Sequence, residues 1–379
     1  MNHKFKLALL SLVLGFLPIF SQYAENEKLI YHIENGGFFD CSASPLSSFA
    51  SFRTSSGAVN MHMLYNFKTD MMYPALEPGD DLFQESVRST LNLLWSSDEG
   101  GKCRIKVSDE GNVNFYEISI SNDDRRIEKL LEITLEQNQL ITGTQLAWSP
   151  SGKILLSLCE RNIPIESDIN PASFDFYTLR TRSTRPKNIS NNRSIRELHG
   201  DNYMSNDFII SGVGESGFSN LYVVGPQTEM KQITYTQSIS ESWPAVSPNN
   251  DFVAFIHPKA DDESAGDLYT LNLKEVNAEP VLVVENVYIP GTANSSGGQY
   301  QWANDSKGIF FIQKEAEQKN PLSFVNVSTM TKTRIELDAI FISSFAISYN
   351  EKQILYIAAG TKESDERISY KAYVGDFHY

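Results

Sequence analysis

One short pattern recurs along this chain and restricts what it can fold into. Trp243-Pro244-Ala245-Val246 runs into Ser247-Pro248-Asn249-Asn250 and then into Phe252-Val253-Ala254-Phe255. A Ser-Pro-Asn-Asn turn between two runs of strand-forming residues reads as a hairpin, because these residues favour turn torsions and bond their own backbone. The same ruler fits Trp148-Ser149-Pro150-Ser151-Gly152-Lys153 leading to Leu155, Trp302-Ala303-Asn304-Asp305-Ser306-Lys307 leading to Ile309, and Ile347-Ser348-Tyr349-Asn350-Glu351-Lys352 leading to Ile354. A degenerate copy contains Ile209. The anchors 155, 209, 253, 309 and 354 stand 54, 44, 56 and 45 residues apart, which is the spacing of propeller blades.

Aromatic third-strand positions follow the first four anchors: Tyr177, Tyr222, Tyr269 and Phe324. Each lies in an alternating run such as Leu268-Tyr269-Thr270-Leu271, as a strand packed between neighbouring sheets requires. Residues 232–234 and 281–283 are candidate fourth strands. Toward the N-terminus the copies decay. Tyr73-Pro74-Ala75-Leu76-Glu77-Pro78 resembles Trp243 to Pro248 and precedes candidate strands at 91–95, 104–107 and 113–120. Ser44-Pro45, with 49–52 and 60–67, forms one more blade or completes another. The expected fold is all-β, a single β-propeller of four-stranded antiparallel blades over residues 25–379. Seven blades are favoured, since six would leave too long an interval before Leu155; six is the alternative. An open ring would expose sheet edges, so the strand at 29–33, which has no blade of its own, is expected to pair at the edge of the last blade.

The Trp148 to Lys153 segment, with Tyr177 and Ile189 behind it, resembles the WD-like repeat of the periplasmic TolB propeller family. Similar repeats occur in the propellers of prolyl-oligopeptidase-type enzymes. The resemblance covers residues from about 40 to 379. It implies the fold, and it is shared by proteins of many functions. The TolB family places an α/β domain before its propeller, whereas here scarcely more than a leader precedes the first repeat. The peptidases append a hydrolase domain, whereas this chain ends at Tyr379 within its last blade.

Lys4 and Lys6 precede an apolar run at 7–20 and then Ser21, Gln22 and Ala24, a signal peptide with cleavage expected after residue 21 or 24. The run is short for a membrane span and no Cys closes it, so the expectation is a soluble exported protein, periplasmic or secreted, that is not a lipoprotein. Loss of Lys4 and Lys6 takes the formal charge from −15 to −17. A chain so acidic, without a basic cluster, is not expected to hold nucleic acid or an anionic membrane. Cys41, Cys103 and Cys159 are too few for a disulfide scaffold and read as buried thiols or at most one bridge.

No catalytic, metal or cofactor residue stands out. Gly212-Val213-Gly214-Glu215-Ser216-Gly217 spells a dinucleotide fingerprint, but a strand rather than a helix follows it, so a hairpin is expected. There is no Gly-x-Ser-x-Gly elbow. His32, His62, His199, His257 and His378 are scattered; His257, after the strand at 252–256, is the one best placed for a blade rim. Asp261, Asp262, Glu263 and Asp267 could hold a hard cation but lack the alternation of a calcium loop. Arg180, Arg182, Arg185 and Lys187 form a small basic island that reads as a solvated strand end. One hairpin is long: 22 residues separate Leu155 from Tyr177, against 13, 16 and 15 elsewhere. Recognition is often grafted on such extra length, so Glu160, Arg161, Ile163, Pro164 and Ile165 are expected to contact a partner. The leading functional expectation is a monomeric, non-enzymatic scaffold that binds another exported or envelope protein and uses no cofactor. The alternatives are a propeller enzyme of carbohydrate lyase or lactonase type, or a propeller that binds glycan or small molecules.

Overall fold

A computed structural model describes residues 22–378, apart from 34–35, 57–58, 78–92, 98, 110–111, 122–123, 135–138, 142–146, 150–151, 161–172, 181–186, 191–195, 205, 215, 227–228, 290–299, 316–319, 340 and 360–369. Its regular elements are β-strands, with no helix among the described residues. They make seven four-stranded antiparallel blades in a ring, a seven-bladed propeller.

Blade 5 shows the plan: Ser242–Val246, Phe252–Pro258, Ala265–Asn272 and Val281–Tyr288, each paired to the next. Blade 1 runs from Gly36–Ala43 to Met71–Pro74, blade 2 from Leu93–Trp95 to Asp124–Thr134, and blade 4 from Arg196–Tyr203 to Lys231–Gln232. Blade 6 runs from Tyr300–Trp302 to Thr331–Glu336. In blade 3 the first strand comes in two pieces, Gln139–Ile141 and Ala147–Trp148, both paired with Lys153–Glu160. First strands of neighbouring blades touch at the 7/1, 2/3, 3/4, 4/5 and 5/6 junctions, so they form the inner wall of the ring.

Alternation along each second strand sends apolar side chains to both neighbours at once. In blade 5, Val253 and Phe255 pack toward blade 4 with Ile209 and Leu221, while Ala254 and Ile256 pack toward blade 6 with Trp302, Ile309 and Phe311. The other junctions repeat this scheme, and the last cluster joins Phe52 and Tyr65 of blade 1 to Leu355 and Ile357 of blade 7. Seven clusters therefore fill seven junctions. Each fully buried Phe or Ile contributes about 1.5–3 kcal/mol, so the ring is held mainly by these contacts.

Blade 7 takes its outer strand from the other end of the chain. Gln22–Ile33 pairs antiparallel with Tyr370–His378, from Tyr23 opposite His378 to Ile33 opposite Tyr370. Gln22 and Tyr23 also pair in parallel with Ile335 and Glu336 of blade 6. Glu27 accepts the Asp338 amide at 3.1 Å and the Tyr356 hydroxyl, and Lys28 bonds Asp70 of blade 1. One strand thus fastens three blades.

The structure revises two details of the sequence ruler. Leu155 and Ile209 face the following blade, whereas Val253, Ile309 and Ile354 face the preceding one. The in-phase residues of blades 3 and 4 are Ile154 and Phe208, because a one-residue difference in the turn flips a strand's faces. Tyr73-Pro74 is not an inner strand but the end of blade 1's outer strand. Blade 2 begins at Leu93–Trp95, and Trp95-Ser96 is the true counterpart of Trp148-Ser149. Cys41 and Cys103 are free buried thiols, and burial pushes both thiols well up from their ordinary range.

Candidate functional site

The meander sorts its connections by face. First-to-second links are tight turns on one face of the ring, which the third-to-fourth links share. Second-to-third and fourth-to-first links lie on the opposite face and include the longer segments, such as 233–241 and 313–321. On the tight-turn face a left-handed residue ends most first-to-second turns: Gly101, Gly152, Met204, Asn250, Ser306 and Glu351.

On the long-loop face, blades 4 and 5 meet around Glu241, which is 0% exposed. Its Oε2 accepts the Leu221 amide at 3.1 Å and the Thr234 hydroxyl, and its Oε1 accepts Thr236 Oγ1 at 3.2 Å. The carbonyl of Glu241 accepts hydroxyls from Ser211 at 2.7 Å and Ser219 at 2.6 Å. A buried carboxylate is tolerated only when donors replace its water, and here three donors reach it, one from a strand and two from its own loop, while two further strand hydroxyls hold the carbonyl. These bonds fasten the 233–241 connection. Asn220 adds two more, accepting the Thr236 amide at 2.7 Å and donating to its carbonyl at 3.3 Å. Above this base Tyr235 is 73% exposed and Ile239 is 42% exposed.

His257 lies beside the carboxylate. Ser242 pairs with Ile256, which puts Glu241 opposite His257, and Nε2 of the imidazole stands 3.8 Å from Oε1. The ring is 8% exposed, packs on Tyr269 at 4.2 Å, and neither of its nitrogens has a hydrogen-bond partner. Nearer the inner wall, His199 of blade 4 lies 4.8 Å from the indole of Trp243. His199 Nδ1 and Trp243 Nε1 are also buried without partners. Burial pushes the His199 pKa down to about 4, so its imidazole is neutral at pH 7.

Trp243 sits on a bulge between Ser242 and Ala245 with φ 53°, a conformation that bulky residues rarely adopt. Neighbours on both sides hold it there. The Tyr300 hydroxyl of blade 6 reaches its carbonyl, and Asp201 of blade 4 accepts the nearby Val246 amide at 2.7 Å. Strain that is over-determined in this way is typical of binding and active sites.

The residues singled out in the sequence fall as follows. His257 lies at the end of Phe252–Pro258 on the long-loop face. Glu160 ends the second strand of blade 3 on the same face, opposite Ser173; Arg161, Ile163, Pro164 and Ile165 lie outside the described residues. Gly214 and Gly217 belong to a second-to-third hairpin, with the Gly217 amide on the Gly214 carbonyl at 3.1 Å. Asp262 is bonded to Lys314 and Ser264; Lys314 above all holds its carboxyl low, at about 2. Lys187 reaches the Pro226 carbonyl at 3.5 Å, while 181–186 lie outside the described residues. Among the described residues no group of three or more His, Cys, Asp or Glu side chains could hold a metal, and no helix is long and apolar enough to cross a membrane. Glu241, Tyr235 and Trp243 were not legible as a site. Their significance depends on Ser211, Ser219, His199 and Tyr300, which belong to other blades or strands.

No family model matches the chain, and no curated protein matches it. Solved structures do. An oligogalacturonate lyase in complex with manganese is 11% identical with a TM-score of 0.60, over 94% of this chain and 98% of that one. A puromycin hydrolase is 6% identical with a TM-score of 0.62, over 88% of this chain and 51% of that one. TolB from Acinetobacter baumannii is 10% identical with a TM-score of 0.49, over 83% of this chain and 66% of that one. At such identities the likeness establishes the propeller fold alone. The enzymes among these neighbours share that fold.

Proposed function

We propose that this chain is an exported propeller that binds another protein through its long-loop face, centred on the junction of blades 4 and 5. The observation that carries the reading is the 233–241 connection, in which a fully buried carboxylate fixes a loop that holds Tyr235 and Ile239 out in solvent. Binding hot spots are rigid aromatic and aliphatic anchors whose ordering cost is already met before the partner arrives. Glu241 itself is too enclosed to meet a substrate, which weighs against an enzyme reading at this junction. Glu160 ends its strand on the same face, so the expected contact at 160–165 would extend the surface toward blade 3.

Export by the leader at 1–21 fits the closing strand. Cleavage after residue 21 keeps Gln22 and Tyr23, which pair with blade 6, whereas cleavage after residue 24 removes them. Mass measurement of the mature N-terminus distinguishes the two, with Gln22 as the expected first residue.

The functional test is site-specific photo-crosslinking in the producing cells. A photoreactive side chain at Tyr235 is expected to give a discrete protein adduct that Ile239→Ser diminishes, while one at Asp305 on the tight-turn face gives none. Equal adducts from both faces, or none from Tyr235, would sink the reading.

A further inference from the structure

The blades differ in how they treat their outermost edge. An unpaired strand edge presents backbone groups to which another chain can add, and proteins blunt it with short strands, charge or cover. Blades 1, 3 and 4 end in strands of four, two and two residues. The blade 2 strand carries Arg125, Arg126, Glu128, Lys129 and Glu132. That of blade 6 carries Lys332, Arg334 and Glu336, and Gln22 and Tyr23 cover its end. The closing strand of blade 7 carries Glu25, Glu27 and Lys28. Blade 5 departs from this pattern. Its outer strand opens with the uncharged run Val281-Leu282-Val283-Val284. Val281 and Leu282 are 48% and 40% exposed, and Val276 on the turn before them is 86% exposed.

The far end of this edge already takes a backbone partner from the next blade. Val287 bridges to Gln313, the Lys314 amide bonds the Asn286 carbonyl at 2.7 Å, and the Gln313 side chain donates to the Glu285 carbonyl at 2.9 Å. Register shifts against Ala265–Asn272 bend the strand, but among the described residues nothing pairs the outer side of 281–284. We propose that 281–284 is a strand-addition site for an extended segment of a partner protein, one of alternating β-branched and aromatic residues with Lys or Arg at its ends. Successive side chains of a strand point to opposite faces, so Val281 and Leu282 give the added strand an apolar neighbour on both. Charge selects its ends. Glu275 and Glu279 precede the run and Glu285 follows it, all exposed and without an ion pair among the described residues, whereas Lys274 and Lys259 are held by Asp251 and Asp267. The same carboxylates, in a chain of formal charge −15, oppose a second copy at this edge.

This outer rim is distinct from the 233–241 connection, and no residue of that connection enters the test. Fluorescence anisotropy of the labelled, capped heptapeptide KVTVYVK with the full mature chain is expected to give a Kd below about 100 μM. Three changes should each weaken binding about tenfold or more. They are N-methylation of two consecutive central residues, which blocks both backbone edges of the peptide, exchange of its lysines for glutamates, and Leu282→Lys, at an exposed position outside the core. Absence of binding up to about 1 mM chain would overturn the proposal, as would equal affinity of the N-methylated peptide, which leaves only apolar adhesion. Equal affinity of the acidic peptide, or of Leu282→Lys for the basic one, would do the same. So would sedimentation equilibrium showing a dimer that Leu282→Lys dissolves, since the edge would then belong to a second copy.

Discussion

The two faces of the ring are built from the same seven meanders and have opposite polar bookkeeping. On the tight-turn face each blade is hydrogen-bonded to the next. Gly101 donates to Ser47 at 3.0 Å, Ser97 to the Trp148 carbonyl at 2.8 Å, Lys153 to Asn206 at 2.6 Å, and Met204 to Asn250 at 3.0 Å. Asn249 donates to Ser306 at 3.1 Å, Asn304 to Glu351 at 2.5 Å, and Gln353 to the Phe67 carbonyl at 3.5 Å, which completes the circle. On the long-loop face, the blade 4/5 junction holds a buried carboxylate, two partly or fully buried imidazoles and a strained Trp with polar atoms unmet. A fold that satisfies one face so completely leaves the other unsatisfied for a reason, and functional sites are where such local costs are retained.

The largest test of this contrast is in the apolar junctions that serve both faces. Phe310 lies between blades 6 and 7 against Phe324 and Phe377. Phe310→Ala should cost about 3–5 kcal/mol in denaturant unfolding. Glu241→Ala should cost about 3 kcal/mol, because it strands the Leu221 amide and the Thr234 hydroxyl. Unlike Phe310→Ala, it should also open the 233–241 segment to limited proteolysis at conditions where the rest of the ring resists.

A pH series sharpens the comparison. His199 has its folded pKa lowered to about 4 by burial, below the ordinary 6.5. The unfolded chain therefore binds a proton that the folded chain refuses, and stability falls as pH drops from about 6.5 to about 4. Asp40 runs the other way. Burial, only partly opposed by Arg53 at 3.0 Å, raises its carboxyl to about 6, so its contribution falls as pH rises from about 4 to 6. The two effects, each about 3 kcal/mol at full extent, offset in the wild type. His199→Gln should thus reveal a protein that loses stability on going from pH 4 to 6, read by thermal unfolding; an unchanged profile would remove His199 from the account.

The smallest effect belongs to the turn circle. Asn250→Gly keeps the left-handed torsion at φ 59° and deletes only the bond to the Met204 amide. A loss of about 1 kcal/mol in denaturant unfolding is expected, with partner binding unaltered.

How far the sequence went can be traced residue by residue. The Ser247 and Ser348 turns, the alternation at Phe252 to Phe255 and the third-strand aromatics announced the blades, since a hairpin's turn chemistry and a strand's two-residue period are local properties. The ruler slipped by one at Leu155 and Ile209, because turn length there differs by a residue and only packing fixes the phase. Trp243 read as repeat framework, and it is that; its positive φ and its contact with His199 are set by Tyr300 and Asp201 on other blades. Glu241 carried no signal at all, being one acidic residue before a strand.

What the sequence determined by itself was the meander, the blade spacing and the choice of residues for the tight turns, all governed by interactions within about fifty residues; it left six or seven blades open, and the closed ring settled on seven. Only the tertiary structure decided which faces of each strand meet and how the N-terminal strand clasps blades 6, 7 and 1. It alone also decided that Glu241, His257, His199 and Trp243 share a junction. Those relations join residues on different blades, and their energies come from burial and unmet hydrogen bonds, which exist only once the ring has closed.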